Sequence, residues 1–265
     1  MIKHALGRMV QKSGMIVSRV LFTENVLASD LGKRLYLLLY LAYKHLFEGD
    51  ELKESGQYIR PGSTVLDIGA NVGFTSEFYS RAVGSTGSVI AFEPDPIAAE
   101  IFKYNAARWG THRVRLVGVA LGDRDGDAVF FQNPSNRADN RLSADPVMAP
   151  KAVQVTVPMR TLSSVAAQEP ETFAHVSFIK IDVQGYETQT IAGMADWMAR
   201  LHQKPTLLVE LWPYGLRKAG THIGQLLDAI ERLGYAVAPE LRAAMGKLDG
   251  PDDYRNAVFI PTPSA

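Results

Sequence analysis

The stretch "TVLDIGANVGF", Thr64 to Phe74, decides how the rest of the chain is read. A short apolar run ends in a glycine turn, and a helical pattern follows through Ala82. Turns of this kind usually receive phosphate, because backbone N–H groups point into them and the helix dipole favours an anion. Asp67, expected at the mouth of this turn, would repel a pyrophosphate. The turn therefore calls for a ligand that carries a positive group beside its negative one.

Outward from this stretch, apolar runs alternate with helical patterns. "SVIAFE" (Ser88–Glu93) reads as the second strand, and Pro96–Trp109 as its helix. "RVRLVGVAL" (Arg113–Leu121) is the third strand, and "AVFFQ" (Ala128–Gln132) with "VQVTVPM" (Val153–Met159) an added pair. The polar loop Asn133–Pro150 between them is long enough to suggest a mobile or functional segment. "VSFIKIDV" (Val176–Val183) precedes a helix over Tyr186–Leu201, and "TLLVELW" (Thr206–Trp212) is a further strand. An amphipathic helix over His222–Leu233 comes next, and "YAVAP" and "NAVFIP" suggest a closing strand pair. This alternation predicts an α/β fold: a mostly parallel sheet with helices on both faces. Ligands of such sheets sit at the carboxyl ends of the strands, near the point where strand order reverses.

Four apolar strands end in an acid there: Asp67, Glu93, Asp182 and Glu210. One such residue could be a turn cap; four at corresponding positions argue for a site. Glu93 follows Asp67 by about one βαβ unit, where a carboxylate accepts from the two vicinal hydroxyls of a ribose. NAD-binding folds share that distance, but their G-x-G-x-x-G turn is missing; Gly69 and Gly73 enclose Ala70, Asn71 and Val72 instead. S-adenosylmethionine fits better: it has no phosphate, and carries an ammonium, a carboxylate and a cationic sulfonium. Asp67 and nearby carbonyls would favour the positive groups, and N–H groups around Asn71–Phe74 the carboxylate.

Together, "VLDIGANVGFTS", "VIAFEPDP", "VALGDRDGD" and "IKIDVQGYE" resemble the FkbM family of S-adenosylmethionine-dependent methyltransferases over roughly Val65 to Trp212. The resemblance implies a Rossmann-like class I methyltransferase fold of seven strands, the last antiparallel. It implies O-methylation of sugar or polyketide hydroxyls, with a small molecule or glycan as substrate. Asp67, Gly69, Asn71 and Gly73 would form the cofactor loop, Glu93 would bind ribose, and the turn after "VGVALGD" would lie near adenine. Gln184 stands where the family often has glutamate, and Ser163 where it usually has aspartate. The expected division is an N-terminal helical extension over residues 1–55 and a methyltransferase domain over 56–265.

Methyl transfer to an alcohol needs a proton acceptor near the methyl group. Asp182 is the first choice as base or substrate orienter, and Glu210 the second. Glu187 is read as a first-turn helix carboxylate, and Trp212 with Tyr214 either as a sugar-stacking pair or as a capping pair. No histidine completes a ligand set with Asp182 and Glu210, so no metal is expected. The competing readings are an NAD-dependent oxidoreductase and a catalytically silent glycan-assembly binding module. The first lacks its glycine fingerprint, and the second would have no need of intact strand-end acids.

Composition sets the outer bounds. The chain has 265 residues, enough for one sizeable α/β domain with an appendage. Twenty-eight basic residues balance 28 acidic ones, so no global basic footprint asks for nucleic acid. Without cysteine there is no disulfide, thiolate zinc site or cysteine nucleophile, which fits a cytoplasmic location. Met1–Phe22 departs from the balance, with Lys3, Arg8, Lys12 and Arg19 and no acid. The run Leu35–Tyr43 would span about half a bilayer core. Two readings of this N-terminal region stay open: a helix packed on the domain, or a helix pair that docks a partner or makes peripheral contact with the inner membrane surface.

Overall fold

The computed structural model describes residues 29–47, 49–110, 113–133, 139–143 and 151–262. The basic segment Met1–Phe22 and most of the Asn133–Pro150 loop lie outside them. Along the chain come α1 (Asp30–Phe47), α2 (Gly49–Gly56), β1 (Thr64–Ile68), α3 (Phe74–Ala82), β2 (Ser88–Phe92), α4 (Pro96–Ala106) and β3 (Val114–Val117). Then follow β4 (Ala120–Leu121), β5 (Gly126–Gln132), β6 (Val153–Arg160), α5 (Leu162–Gln168), α6 (Pro170–Ala174) and β7 (Val176–Ile181). The last elements are α7 (Glu187–Gly193), α8 (Ala195–Met198), β8 (Thr206–Leu211), α9 (Pro213–Lys218), α10 (Ile223–Arg232), α11 (Pro239–Met245) and β9 (Arg255–Phe259).

All five residues of β1 are buried, as an interior parallel strand requires. It pairs in parallel with β2 on one side and β7 on the other. The full order is β3-β2-β1-β7-β8-β9, with only β9 antiparallel. The chain winds one way from β1 to β3 and resumes on the opposite side of β1 at β7. The reversal falls between β1 and β7, where folds of this kind place their ligands.

The α/β expectation holds, with three local corrections. The run Arg113–Leu121 is not one strand. It breaks at Gly118 and Val119, so that β4 leaves the central sheet and joins a second one of order β4-β6-β5. The Tyr186–Leu201 helix is split at Met194, next to Gly193, where a side chain would overlap the Gly122 carbonyl. The first member of the expected closing pair, "YAVAP", is reduced among the described residues to the single bridge Tyr235↔Pro261. Pro239 opens α11 directly after it, and proline neither donates to a ladder nor lets a strand run on.

Both sheet faces are covered. Leu66, Ile90, Ile179 and Val209 meet helices α5, α7 and α10 through Leu162, Ile191 and Leu226. Val65, Val89, Phe178 and Leu208 meet Tyr79 of α3, Val83 just past the end of that helix and Leu52 of α2. Helix α1 sets Tyr36 and Leu37 on Val72 and Ile101, and its Lys33 is paired with Glu100. No described helix is long and apolar enough to cross a membrane.

Candidate active site

Alternation along strands puts every second residue on one face of a sheet. Register pairs Asp67 with Lys180, Lys180 with Leu208, and Glu210 with Asn256. Asp182, two residues past Lys180, therefore shares a face with Asp67, Lys180 and Glu210. The result is a polar stripe crossing three strand ends under the N-terminal helices. Lys180 Nζ stands 3.1 Å from Asp182 Oδ2 and 3.8 Å from Asp67 Oδ1. Gln184 Nε2 donates to Asp182 Oδ1 at 2.8 Å and to Glu210 Oε2 at 3.1 Å.

The glycine loop is held from beneath and behind. Gly69 has φ 81°, and a side chain there would overlap the Asp182 carbonyl oxygen. Asn71 adopts φ 49°, in the left-handed region that asparagine tolerates better than most residues. Its backbone N–H donates to Glu93 Oε2 at 2.8 Å, while Asp95 N–H donates to Glu93 Oε1 at 2.8 Å. At Gly73, φ 91°, a Cβ would stand 2.7 Å from Trp109 and 2.9 Å from Phe102. The loop N–H groups at Asn71 and Gly73, expected to await a ligand carboxylate, are instead taken by Glu93 and the Ala70 carbonyl. The left-handed residue curls the loop back on itself, which brings those donors inward.

Asp67 is likewise not at the mouth of the turn. It is fully buried beneath it, where Oδ2 accepts from the Thr75 and Ser76 hydroxyls at 2.6 and 2.5 Å. Its place is set by strand parity, which points it at the first turn of α3 rather than at the crevice. Glu187 is also buried, and its Oε1 accepts from Val183 and Gly185 N–H, each at 3.1 Å. Trp212 is buried, donates from Nε1 to the Pro251 carbonyl, and has Tyr214 5.8 Å away.

A family model described as "Methyltransferase FkbM domain" matches residues 67–237, which include every strand-end acid named above. The chain belongs to the FkbM methyltransferase family. Among solved structures, it is similar to an O-methyltransferase from Bacillus cereus in complex with SAH, at 16% identity and TM-score 0.42. That match covers 78% of this chain and 76% of the other. A precorrin-6y C5,15-methyltransferase from Geobacter metallireducens GS-15 is 13% identical, with coverage of 72% and 73% and TM-score 0.43. A putative rRNA-methylase from Clostridium thermocellum is 14% identical, with coverage of 72% and 83% and TM-score 0.41. Membership in the FkbM family rests on the family match alone.

Within this FkbM domain the acids differ sharply in proton affinity. Burial raises Asp182, but the Lys180 ammonium and the Gln184 amide outweigh it and leave the carboxyl below its usual value. Burial also raises Glu210, and the Asp182 and Glu187 charges add to it, so that Glu210 stands well above the ordinary range despite Lys180 and Lys44. Burial lifts Glu93 to about 7 against the opposing Asp95 and Asn71 N–H groups, and lifts Glu187 to about 7. Burial would lower Lys180, yet Asp182 and Asp67 keep it firmly protonated.

Sequence reading missed Lys180, whose signal was a lone charge inside the buried run "SFIKIDV". It also missed Asp95, which caps α4 and accepts from Gln132 and Asn140 of the β5–β6 insertion. No local pattern announces Lys44, which reaches a small cavity beside Lys180 and Asp182 from α1.

Proposed function

We propose that this FkbM-family chain is an S-adenosylmethionine-dependent O-methyltransferase acting on a hydroxyl of a sugar, glycan or polyketide-like small molecule. The observation that carries the reading is the meeting of Asp182 and Glu210 through Gln184, beside a glycine loop that touches the Asp182 backbone.

The residues fit the methyl donor. Each Glu93 oxygen receives one backbone N–H, which leaves a second lone pair for a ribose hydroxyl. Asn71 Oδ1 is buried without a hydrogen-bond partner among the described residues, which suits a ligand bearing an ammonium. Gly69, Asn71 and Gly73 would hold the methionine end, with Asp67 fixing the loop from below. S-adenosylmethionine supplies an electrophilic methyl group when bound; the chain supplies alignment and a proton acceptor, of which alignment alone is worth about 7–11 kcal/mol.

Proton affinity divides the two strand-end acids. Burial and the neighbouring Asp182 and Glu187 charges raise the proton affinity of Glu210, whereas Lys180 lowers that of Asp182, so Glu210 is the stronger base of the two. Glu210 would take the acceptor's hydroxyl proton, and Asp182, ion-paired with Lys180, would orient the acceptor. The test is transfer of labelled methyl from S-adenosylmethionine to a panel of cell-envelope sugars, small hydroxylated metabolites and RNA. Alkali-stable label on a hydroxylated small molecule or glycan supports the reading. Label on RNA alone would overturn the acceptor class.

A further inference from the structure

Gln184 has a backbone that its residue type disfavours. Its φ is 56°, and only Asn71 among the other described non-glycine residues also has a positive φ. The side chain of such a residue normally meets its own carbonyl, so the surroundings must impose the conformation. They do so on both sides. Glu187 Oε1 clasps the Val183 and Gly185 N–H groups that flank it. Gly185, φ 99°, approaches α9 so closely that a Cβ would stand 2.5 Å from the Gly215 backbone. The constrained turn delivers one amide nitrogen to two carboxylates at once, 2.8 Å from Asp182 and 3.1 Å from Glu210.

A primary amide suits that place for a chemical reason. Two carboxylates in close proximity either repel or share a proton, and a shared proton titrates away. An amide NH₂ has two hydrogens, one for each carboxylate, and does not titrate in the working range. It can link the pair without neutralising either member.

We propose that Gln184 is a positioning residue that keeps Asp182 and Glu210 in one fixed arrangement facing the acceptor hydroxyl, and so leaves Glu210 free to accept its proton. This rests on the methyl-transfer reading above. The charged groups facing Glu210 are Lys180 of β7, Asp182 just after that strand, Glu187 of α7 and Lys44 of α1. Of these, only Asp182 is itself bonded to Gln184, so a change at Gln184 leaves Lys180, Glu187 and Lys44 in place and acts on the Asp182–Glu210 pair.

The full chain, labelled with ¹³C at Asp and Glu carboxyls, is titrated by NMR, with the Glu210 resonance assigned from Glu210→Gln. Gln184→Glu keeps the length but removes the donor. Gln184→Asn suits a left-handed backbone better but is one methylene too short to span both acids. Both variants should raise the Glu210 midpoint by about one pH unit or more, equal to about a tenfold gain in proton affinity. S-adenosylhomocysteine affinity should stay within about threefold in both, since hydrogen bonds to a charged cofactor contact are worth more than that when lost. A backbone role alone would leave Gln184→Asn with an unchanged midpoint, and that result overturns the proposal. A shift in Gln184→Glu only, the effect of added charge, overturns it equally. In the native chain, ¹⁵N-labelled glutamine supplies a measurement that no variant can spoil: the Gln184 amide protons must shift as Glu210 titrates. Failure of wild-type S-adenosylhomocysteine binding would instead strike the methyl-transfer reading and leave these titrations intact.

Discussion

A side chain on Gly69 would overlap the backbone carbonyl oxygen of Asp182. The glycine loop after β1 and the acid after β7 are therefore in direct backbone contact.

Gly69→Ala meets that contact and a φ of 81° together. The left-handed backbone alone costs about 1–3 kcal/mol, and the overlap adds to it because a carbonyl cannot rotate away. Thermal denaturation should show a clear drop in melting temperature. Calorimetry should show S-adenosylhomocysteine binding weakened along with it. Wild-type behaviour in both would mean the two strand ends can separate.

Asp67→Asn should act on stability more than on ligand affinity. The carboxylate is buried and accepts from Thr75 and Ser76 under the loop. Weakening hydrogen bonds to a buried charge costs about 1.5–3 kcal/mol. A large loss of S-adenosylhomocysteine affinity at unchanged stability would restore a direct ligand contact for Asp67.

Glu93, as the proposed ribose contact, should make cofactor affinity depend on pH. Its folded value of about 7 lies above the ordinary 4.5, because burial raises it. Its stability contribution is thus fully present below about 4.5 and is lost as pH rises through about 7. Ribose hydroxyls donate to the ionised form, so the ligand runs the other way and binds more tightly as pH rises. Calorimetry with S-adenosylhomocysteine should show a gain of roughly tenfold between about pH 6 and about pH 8. Glu93→Gln should flatten that profile. Glu93→Ala should lose roughly tenfold or more in affinity outright, since each hydrogen bond to a charged group is worth about 1.5–3 kcal/mol.

Glu210→Gln should lower turnover by about 10²–10⁴ with S-adenosylhomocysteine affinity changed only a few-fold, as loss of a general base requires. Asp182→Asn should cost less, because an acid held ionised by Lys180 is the weaker base. The reverse order of the two variants would return the base role to Asp182. Label transfer to whichever acceptor the panel identifies is the measurement.

The order of strands and helices, the glycine loop and the strand-end positions of Asp67, Glu93, Asp182 and Glu210 were all legible in the sequence. They follow from local periodicity, which needs only a few neighbouring residues to be read. "SVIAFE" and "TLLVELW" are apolar because both sheet faces bury them, which makes an acid at the end of each run stand out. What Asp67 touches was not legible, since its partners are fixed by which face of β1 packs on α3. The pairing of β1 with β7 joins segments more than 100 residues apart, and it alone brings Lys180 between Asp67 and Asp182. The truncated "YAVAP" strand and the departure of β4 into the insertion were decided by competing partners, not by propensity. The division of Asp182 from Glu210 was decided the same way. Two similar carboxyls acquire opposite proton affinities because one meets an ammonium and the other is buried among like charges, and both environments exist only once the strands are side by side.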